Sequence, residues 1–292
     1  LRTVTGVQTC ALPIYDLFIT DDLLTIVGRI RRTPSIFFTD DDISAVPESV
    51  LLISTTNYVL APSVSNMGRY EFKKIGYEGY KSLAHLHPNT FIPQKNKIDI
   101  SIDQSKPIFF IRTVLATSTH DVGKKGLTDK ILIDIVNYLK EKGQIIISTQ
   151  RKIPKEFKKY VLDFPKQDVA HYIYYSSLFI SDSTTMCAEA AVLGTFAIEI
   201  DDWFADFKQY EEFNQKYKLI NGYSSNEKQA ILGKISEIVE LQDEIKVEST
   251  KLRSEILKDK IDVSGFMIWL FENYPNSVEE FFLNPDFQKR FK

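Results

Sequence analysis

Short apolar runs alternate with amphipathic stretches along most of this chain. "YDLFIT", from Tyr15, predicts a buried strand, an apolar run closing in polar residues. "DDLLTIVGRIRR" follows with helical spacing, placing Leu23, Ile26, Val27 and Ile30 on one stripe. Asp21 and Asp22 stand at its start and Arg31 and Arg32 at its end, the order of charge that a helix dipole favours. "PSIFFTDDD" predicts a second strand, opened by Pro34 and closed by three aspartates, and "ESVLLISTTNYVLAP" a further helix or strand pair. "EFKKIGYEGYKSLAHL" predicts an exposed strip beyond a Gly-Tyr pair. Residues 88–106 hold two prolines and little periodicity, the mark of a linker.

The alternation then restarts. "PIFFIRTV" (107–114) predicts a strand. Residues 127–143 predict a helix with Ile131, Ile135, Tyr138 and Leu139 on one face and Gly143 as its stop. "QIIIST" (144–149) is the next strand, followed by a Lys-rich helix over 154–162. "DVAHYIYYSS" is helical, "LFIS" a strand, "TTMCAEAAVLG" a helix and "TFAIEI" a strand; beyond residue 205 the pattern is helical. Strands alternating with helices imply parallel sheets covered on both faces. Two α/β units result, the first short and the second nearly complete, with a helical tail and no internal repeat.

Composition narrows the classes. At 43% hydrophobic and 26% charged residues the chain is globular rather than disordered. A net charge of -3 gives no footprint for a nucleic-acid backbone. The longest apolar run, "GFMIWLF" (265–271), is far short of the ~20 residues of a membrane span. Two cysteines, Cys10 and Cys187, imply no disulfide framework, so a cytoplasmic location is expected. The first fourteen residues, "LRTVTGVQTCALPI", resemble a translated sequencing adapter. They are expected to lie outside the fold, with the natural chain beginning upstream of Tyr15.

The stretch "LFISDSTTMCAEAAVLGTFAIEI" (178–200) carries the main candidate chemistry. Ligands of parallel sheets sit beyond the carboxyl ends of the strands, where "LFIS" ends at Ser181. The next helix starts near Thr184, and its unpaired first amides and positive dipole end suit a phosphate. Ser183, Thr184 and Thr185 add hydroxyl donors. Glu189, a turn or so further on, repels phosphate but accepts hydrogen bonds from a ribose diol. The spacing therefore suits a nucleotide, while Ala188, Ala190 and Ala191 let the helix pack closely on the sheet. The same residues also read as an ordinary capped helix, since Ser and Thr are favoured caps whatever the function.

"ISDSTTMCAEAAVLGTFAI" resembles the nucleotide-sugar segment of GT-B-fold proteins, in particular UDP-GlcNAc 2-epimerases. It is closer to an archaeal and bacterial family related to them and catalogued as a domain of unknown function. Asp182, Ser183, Thr185, Met186, Glu189 and Ala190 reproduce that family's Asp-Ser-x-Thr-Met-x-x-Glu-Ala turn. "GYEGYKSLAHL" (76–86), "STHDVGKKG" (118–126) and "VAHYIYYSSLFISDSTTM" (169–186) also resemble it, and the likeness runs from about Tyr15 to the C-terminus. In the epimerases an Asp-Ser-Gly-Gly turn holds the diphosphate and a Glu at this spacing the ribose. Thr184 and Thr185 stand here in place of the two glycines and crowd a phosphate. The resemblance implies a UDP-sugar ligand.

Other residues join this edge. "RTVLATSTHDVGKKG" follows the first strand of the second unit and brings Arg112, Ser118, Thr119, His120 and Asp121 to it. Arg112 suits a phosphate as a planar fork, and His120 suits a phosphate donor or an acid-base. The segment also reads as a surface loop with His120 capped by Asp121. In a GT-B arrangement Asp40, Asp41 and Asp42 face the cleft from the other side, with Asp40 or Asp41 as general base for a sugar hydroxyl. The same acids also suit a solvated helix start. His171 has a counterpart in the resembling family, which implies substrate contact; on its own it reads as a packing residue. His85 and His87, two apart, share no helix face well. No zinc spacing, Walker loop or nucleophile elbow is present. Phe281, Phe282 and Phe287 in the tail suit docking on the fold or a membrane surface.

The expected fold is α/β and GT-B-like, two doubly wound α/β domains facing a cleft, with a truncated N-terminal domain. The expected bounds are 1–14 artefact, 15–92 N-terminal domain, 93–106 linker, 107–260 nucleotide-sugar-binding domain and 261–292 helices crossing back. The expected function is nucleotide-sugar-dependent glycosyl transfer for a surface polysaccharide or glycolipid. The alternatives are a UDP-GlcNAc 2-epimerase-like activity and a non-catalytic nucleotide-sugar sensor or scaffold. A UDP-sugar is the expected substrate, without metal or other cofactor, since helix dipole and basic side chains neutralise the leaving group. The acceptor is expected to be lipid-linked or a saccharide.

Overall fold

The computed structural model describes residues 16–114, 126–202 and 207–292. Its first unit runs β1 (Phe18–Thr20), α1 (Leu24–Arg31), β2 (Ser35–Phe38), α2 (Ser49–Thr55), β3 (Tyr58–Pro62), β4 (Lys74–Tyr77) and α3 (Leu83–Leu86). The four strands form one parallel sheet in the order β1-β2-β3-β4. The second unit has β5 (Ile108–Thr113), α4 (Asp129–Leu139), β6 (Gln144–Thr149), α5 (Val169–Tyr175), β7 (Leu178–Ser181), α6 (Thr184–Leu193), β8 (Phe196–Ile200), α7 (Lys208–Gln215) and β9 (Ile220–Tyr223). Its sheet is also parallel, in the order β6-β5-β7-β8-β9. α8 (Lys228–Glu240), α9 (Ile245–Asp259), α10 (Val263–Glu272) and α11 (Asn276–Leu283) complete the chain.

The strand sequences explain the layers. Phe109, Phe110 and Ile111 of β5 and Leu178, Phe179 and Ile180 of β7 are all fully buried, as strands covered on both faces must be. α6 lies close to the sheet because Ala190 and Ala191 present almost no side chain. It ends at Gly194, whose φ of 72° is left-handed backbone that glycine adopts without strain.

Four expectations are corrected. The stripe Leu23, Val27 and Ile30 does not face the sheet: Leu23 is 65% and Ile30 76% exposed, while Thr25 and Gly28 are buried. A Cβ on Gly28 would lie 3.2 Å from the Phe18 ring and 3.4 Å from Ser35 Cβ, so the close approach of α1 requires the glycine side. The strip read as exposed in 71–86 is core: Ile75, Tyr77, Tyr80 and Leu83 are buried as β4 and the turn into α3. The Lys-rich helix is a short 3-10 segment, Lys155–Tyr160, tied down by buried Phe157. The region beyond 205 is not all helical, since β9 adds an edge strand.

The two units are tied together by polar contacts. Asp42, after β2, is buried and accepts from the Asn66 amide at 2.7 Å and the Lys208 amide at 2.8 Å, capping α7 from the other unit. Tyr80 donates to Glu212, and Lys260 Nζ lies 2.8 Å from the same carboxylate. α3 packs against α6 and α10. Gln288 accepts from the Glu78 amide at 2.7 Å and donates to the Gly76 carbonyl at 3.2 Å, fixing the tail to the first sheet. Phe281 is buried, Phe287 stacks on Trp269 at 4.8 Å and Phe282 meets Tyr58 at 6.0 Å, so all three phenylalanines dock on the fold. No helix among the described residues is long and apolar enough to cross a membrane.

Candidate functional site

From β5 the chain passes to β6 on one side, then crosses to place β7 on the other. β5 and β7 stay paired as far as Arg112 and Ser181, and the connections that leave them diverge, which marks at their carboxyl ends the crevice where parallel sheets bind ligands. Asp182 sits at that point, largely shielded from solvent. It accepts from the Val114 amide after β5 at 2.9 Å and the Leu127 amide before α4 at 3.3 Å. Gly126 is needed beside it, because a Cβ there would fall 2.8 Å from that of Asp182. Burial pushes the Asp182 carboxyl up to about 6, against the pull of the amides of Val114, Asp182 and Leu127 and of Arg151.

α6 starts beside this aspartate. Ser183 occupies the cap position, but its hydroxyl makes no capping bond. No acceptor among the described residues meets the amides of Thr184, Thr185 and Met186. Among the described residues these amides are left without a protein acceptor, and the capped-helix reading lacks its side-chain contact. The Thr184 hydroxyl donates to Asp201 Oδ2 at 3.2 Å. Thr185 is exposed and Ser183 half-exposed at the crevice.

Arg112, on β5, is in register with Ser148 and Ser181. It donates through Nη1 to Ser148 Oγ at 2.6 Å, and its buried Nε has no partner among the described residues. Burial lowers its pKa, and the nearby carboxylates of Asp182 and Glu189 oppose that; an arginine stays charged regardless. Glu189 is not turned into the interior. Its Oε1 lies 3.3 Å from His85 Nε2 of α3, so the first unit reaches the acid directly.

Across that contact, Asp40 lies 3.5 Å from Lys81 Nζ, and Lys81 stands four residues before His85. Asp40 and Asp41 both line a cavity of about 380 Å³ on the first unit. Of the three aspartates read together in the sequence, Asp42 is the one committed to the Asn66 and Lys208 amides. His171 has partners of its own within the fold. It is buried in α5, stacks on Phe91 at 4.9 Å and accepts at Nδ1 from the Gln94 amide at 3.1 Å, and burial lowers its pKa. Ser118, Thr119, His120 and Asp121 lie outside the described residues, as does the segment 1–14.

Sequence reasoning missed Lys81, His85 and the acid pair at the end of β8. Glu199 is in register with Ser181 and fully buried. Neither of its oxygens makes a well-formed hydrogen bond among the described residues, although Asp201 and the Thr184 hydroxyl stand beside it. Burial, then Asp201, push its carboxyl well above the usual range. The motif "GYEGYKSLAHL" contains both Lys81 and His85, and its resemblance is the available signal for them.

No family model and no curated protein matches the chain. Solved structures do. An S. aureus MnaA–UDP structure covers 89% of this chain and 76% of its own, at TM-score 0.60 and 14% identity. A Methanocaldococcus jannaschii UDP-GlcNAc 2-epimerase, solved with UDP-GlcNAc and UDP, covers 77% and 69%, at TM-score 0.51 and 13% identity. The spinosyn rhamnosyltransferase SpnG, solved with thymidine diphosphate, covers 88% and 73%, at TM-score 0.51 and 12% identity. The chain spans 66% of a Listeria monocytogenes protein of the same fold. At these identities the likeness establishes the fold: two parallel α/β units of the GT-B kind, shared by sugar-nucleotide epimerases and glycosyltransferases.

Proposed function

We propose that the chain binds a nucleotide-activated sugar in the crevice between β5 and β7 and transfers the sugar to an acceptor held on the first unit. The observation that carries this reading is the reversal of strand order at β5 and β7. It gathers the unpaired amides of α6, Arg112 and Glu189 beside one opening, and His85 of the first unit meets that group. The diphosphate sits on the amides of Thr184 to Met186 and the Ser183 hydroxyl, with Arg112 as its counter-charge. The ribose diol donates to Glu189. The acceptor oxygen attacks the anomeric carbon while the bond from that carbon to the diphosphate oxygen breaks, its electron pair leaving with the nucleoside diphosphate. Asp40 or Asp41 takes the acceptor proton. Helix dipole and guanidinium stabilise the charge growing on the leaving group. UDP and thymidine diphosphate in the structures of fold relatives support the ligand class.

Titration calorimetry with UDP tests this. UDP binds the wild-type chain, and Glu189→Ala loses about 1.5–3 kcal/mol, the worth of hydrogen bonds to a charged group. No binding to the wild-type chain overturns the reading. Epimerisation is the second reading, favoured by the shared fold of a UDP-GlcNAc 2-epimerase. It predicts conversion of a UDP-sugar to its epimer with no acceptor present, whereas transfer requires one. Binding without either reaction identifies a sensor.

A further inference from the structure

The amino edge of the first sheet, opposite the edge that carries Asp40 and Lys81, gathers cations around exposed apolar side chains. α1 and α2 lie side by side, with Thr55 Oγ1 donating to Thr25 Oγ1 at 3.1 Å, and both end at this edge. Lys73, just before β4, donates to the carbonyls of Ile53, Ser54 and Thr56 at 3.2, 3.3 and 2.7 Å, and so sits on the end of α2. Burial lowers the Lys73 pKa, and the charge of nearby Arg29 adds to that. Lys73 and Arg69 share the Tyr70 ring, 5.8 and 4.9 Å from its centroid. Arg31 and Arg32 close α1 beside Arg29, and both are exposed. Among the described residues no carboxylate pairs with any of these four arginines. Glu71, the acid in the same segment, pairs with Lys74 at 2.8 Å. Asp21, Asp22 and Glu48 stand at the far ends of the two helices. Among the cations Ile30 is 76% and Phe72 73% exposed, the Phe72 ring centroid 6.0 Å from Lys73 Nζ.

We infer that this edge docks on an anionic lipid bilayer, with Ile30 and Phe72 entering the headgroup layer and Arg29, Arg31, Arg32 and Arg69 meeting lipid phosphates. The two parts of the face match the two parts of that partner. The apolar side chains gain by leaving water, and the cations are drawn by the negative surface potential. A guanidinium also takes a phosphate as a planar fork. A nucleic acid offers phosphates but no apolar layer for Ile30 and Phe72. A second copy packed on the same face would set arginines against arginines. The carboxyl edge, where Asp40 and Lys81 stand, is the far side of the sheet, so docking leaves it clear. Attachment of this kind is independent of the nucleotide-sugar reading.

Co-sedimentation of the whole chain with vesicles of phosphatidylcholine, and with vesicles containing about 30% phosphatidylglycerol, tests the inference. The chain binds the mixed vesicles and not the neutral ones, and binding weakens as salt rises. Arg31→Gln combined with Arg32→Asn weakens it about 25-fold, roughly fivefold for each cation at a charged surface. Asparagine is chosen because Arg32 has a φ of 59°, backbone that asparagine tolerates. Arg29→Gln alone weakens binding about fivefold and repeats the test without touching that turn. Phe72→Ser weakens it about tenfold, the worth of one apolar side chain leaving water. Lys152→Gln combined with Lys155→Gln, exposed lysines of the second unit, leaves binding within about twofold, because that surface faces no lipid. Equal binding to neutral vesicles, a loss with the lysine pair as large as with the arginine pair, or a DNA duplex bound as tightly as the mixed vesicles overturns the inference.

Discussion

Replacing Asp182 by asparagine removes a titrating group from the centre of the crevice while keeping its shape and one accepting oxygen. Burial raises that carboxyl from 3.8 to about 6 in the folded chain. A rise of that size corresponds to about 3 kcal/mol. Because the folded pKa is the higher one, the folded chain holds a proton between about pH 4 and 6 that the unfolded chain has lost. Stability from this group therefore falls as pH rises through that window, and the full penalty is present above about pH 6. The Asp182→Asn variant has no proton to lose there. It gives up one acceptor, opposite the Leu127 amide, but by a fixed amount at every pH. Urea unfolding of both proteins from about pH 4 to 8 isolates the titration, since other carboxylates cancel in the difference. Wild type minus variant should decline by about 3 kcal/mol between pH 4 and 7 and then level off. A flat difference, or one that rises with pH, refutes the argument that burial outweighs the amides around Asp182.

The other expectations concern the scaffold. Lys246 is pulled down to about 7 by burial, then by Arg253, while it donates to the Gly194 carbonyl and the Thr195 hydroxyl, both at 3.1 Å. The unfolded chain keeps that proton up to about pH 10, so wild-type stability rises relative to Lys246→Met by roughly 3–5 kcal/mol from pH 7 to 10; equal slopes in pH-dependent melts contradict this. Asp42→Ala strips the cap from the Asn66 and Lys208 amides and costs about 2–3 kcal/mol in urea unfolding, whereas a loss below about 0.5 kcal/mol shows that the cap contributes little. Gly143→Ala drives a Cβ into the Pro107 carbonyl oxygen, so backbone must move and thermal stability drops by about 2 kcal/mol or more. An unchanged melting temperature would refute that last clash.

Period and punctuation made the second sheet legible, because β5 to β8 are short Ile- and Phe-rich runs separated by helices long enough to read. β9 escaped because only Ile220 of its four residues is buried, so "INGY" shows neither a run nor an alternation. α1 misled for the opposite reason. Its Leu and Ile spacing is helical, but the face that touches the sheet was chosen by a glycine, which a hydrophobic pattern cannot register. The strand end at Ser181 and the helix start at Thr184, with Glu189 a turn or so on, were legible because neighbours in sequence are neighbours on one helix end. His85 and Lys81 were not, because their partners Glu189 and Asp40 lie 104 and 41 residues away. Asp42 shows the same limit: three adjacent aspartates look alike until the fold assigns one of them two amides.

The junction between the units bears on which reading of the function is stronger. Lys260, almost fully buried, pairs with Glu212, which also accepts from Tyr80, and the Lys260 ammonium lies 4.7 Å from the Tyr80 ring centroid. Separating the members of such a network leaves buried charge uncompensated, at about 3–5 kcal/mol. A wide hinge opening would also uncap α7 from Asp42 and detach Gln288 from β4. A ligand shifts a conformational balance only by its difference in affinity for the two states. Most of what a nucleotide gains here would be consumed in moving the units apart. The side chains free to respond are those on the crevice rim: His85 is 58% and Lys81 44% exposed, and both pair weakly, at 3.3 and 3.5 Å. Under the proposed function, a bound donor would exchange His85 from Glu189 to the ligand within a fixed frame. A frame that stays put while one ring moves positions reactants well and signals poorly, which favours transfer over sensing.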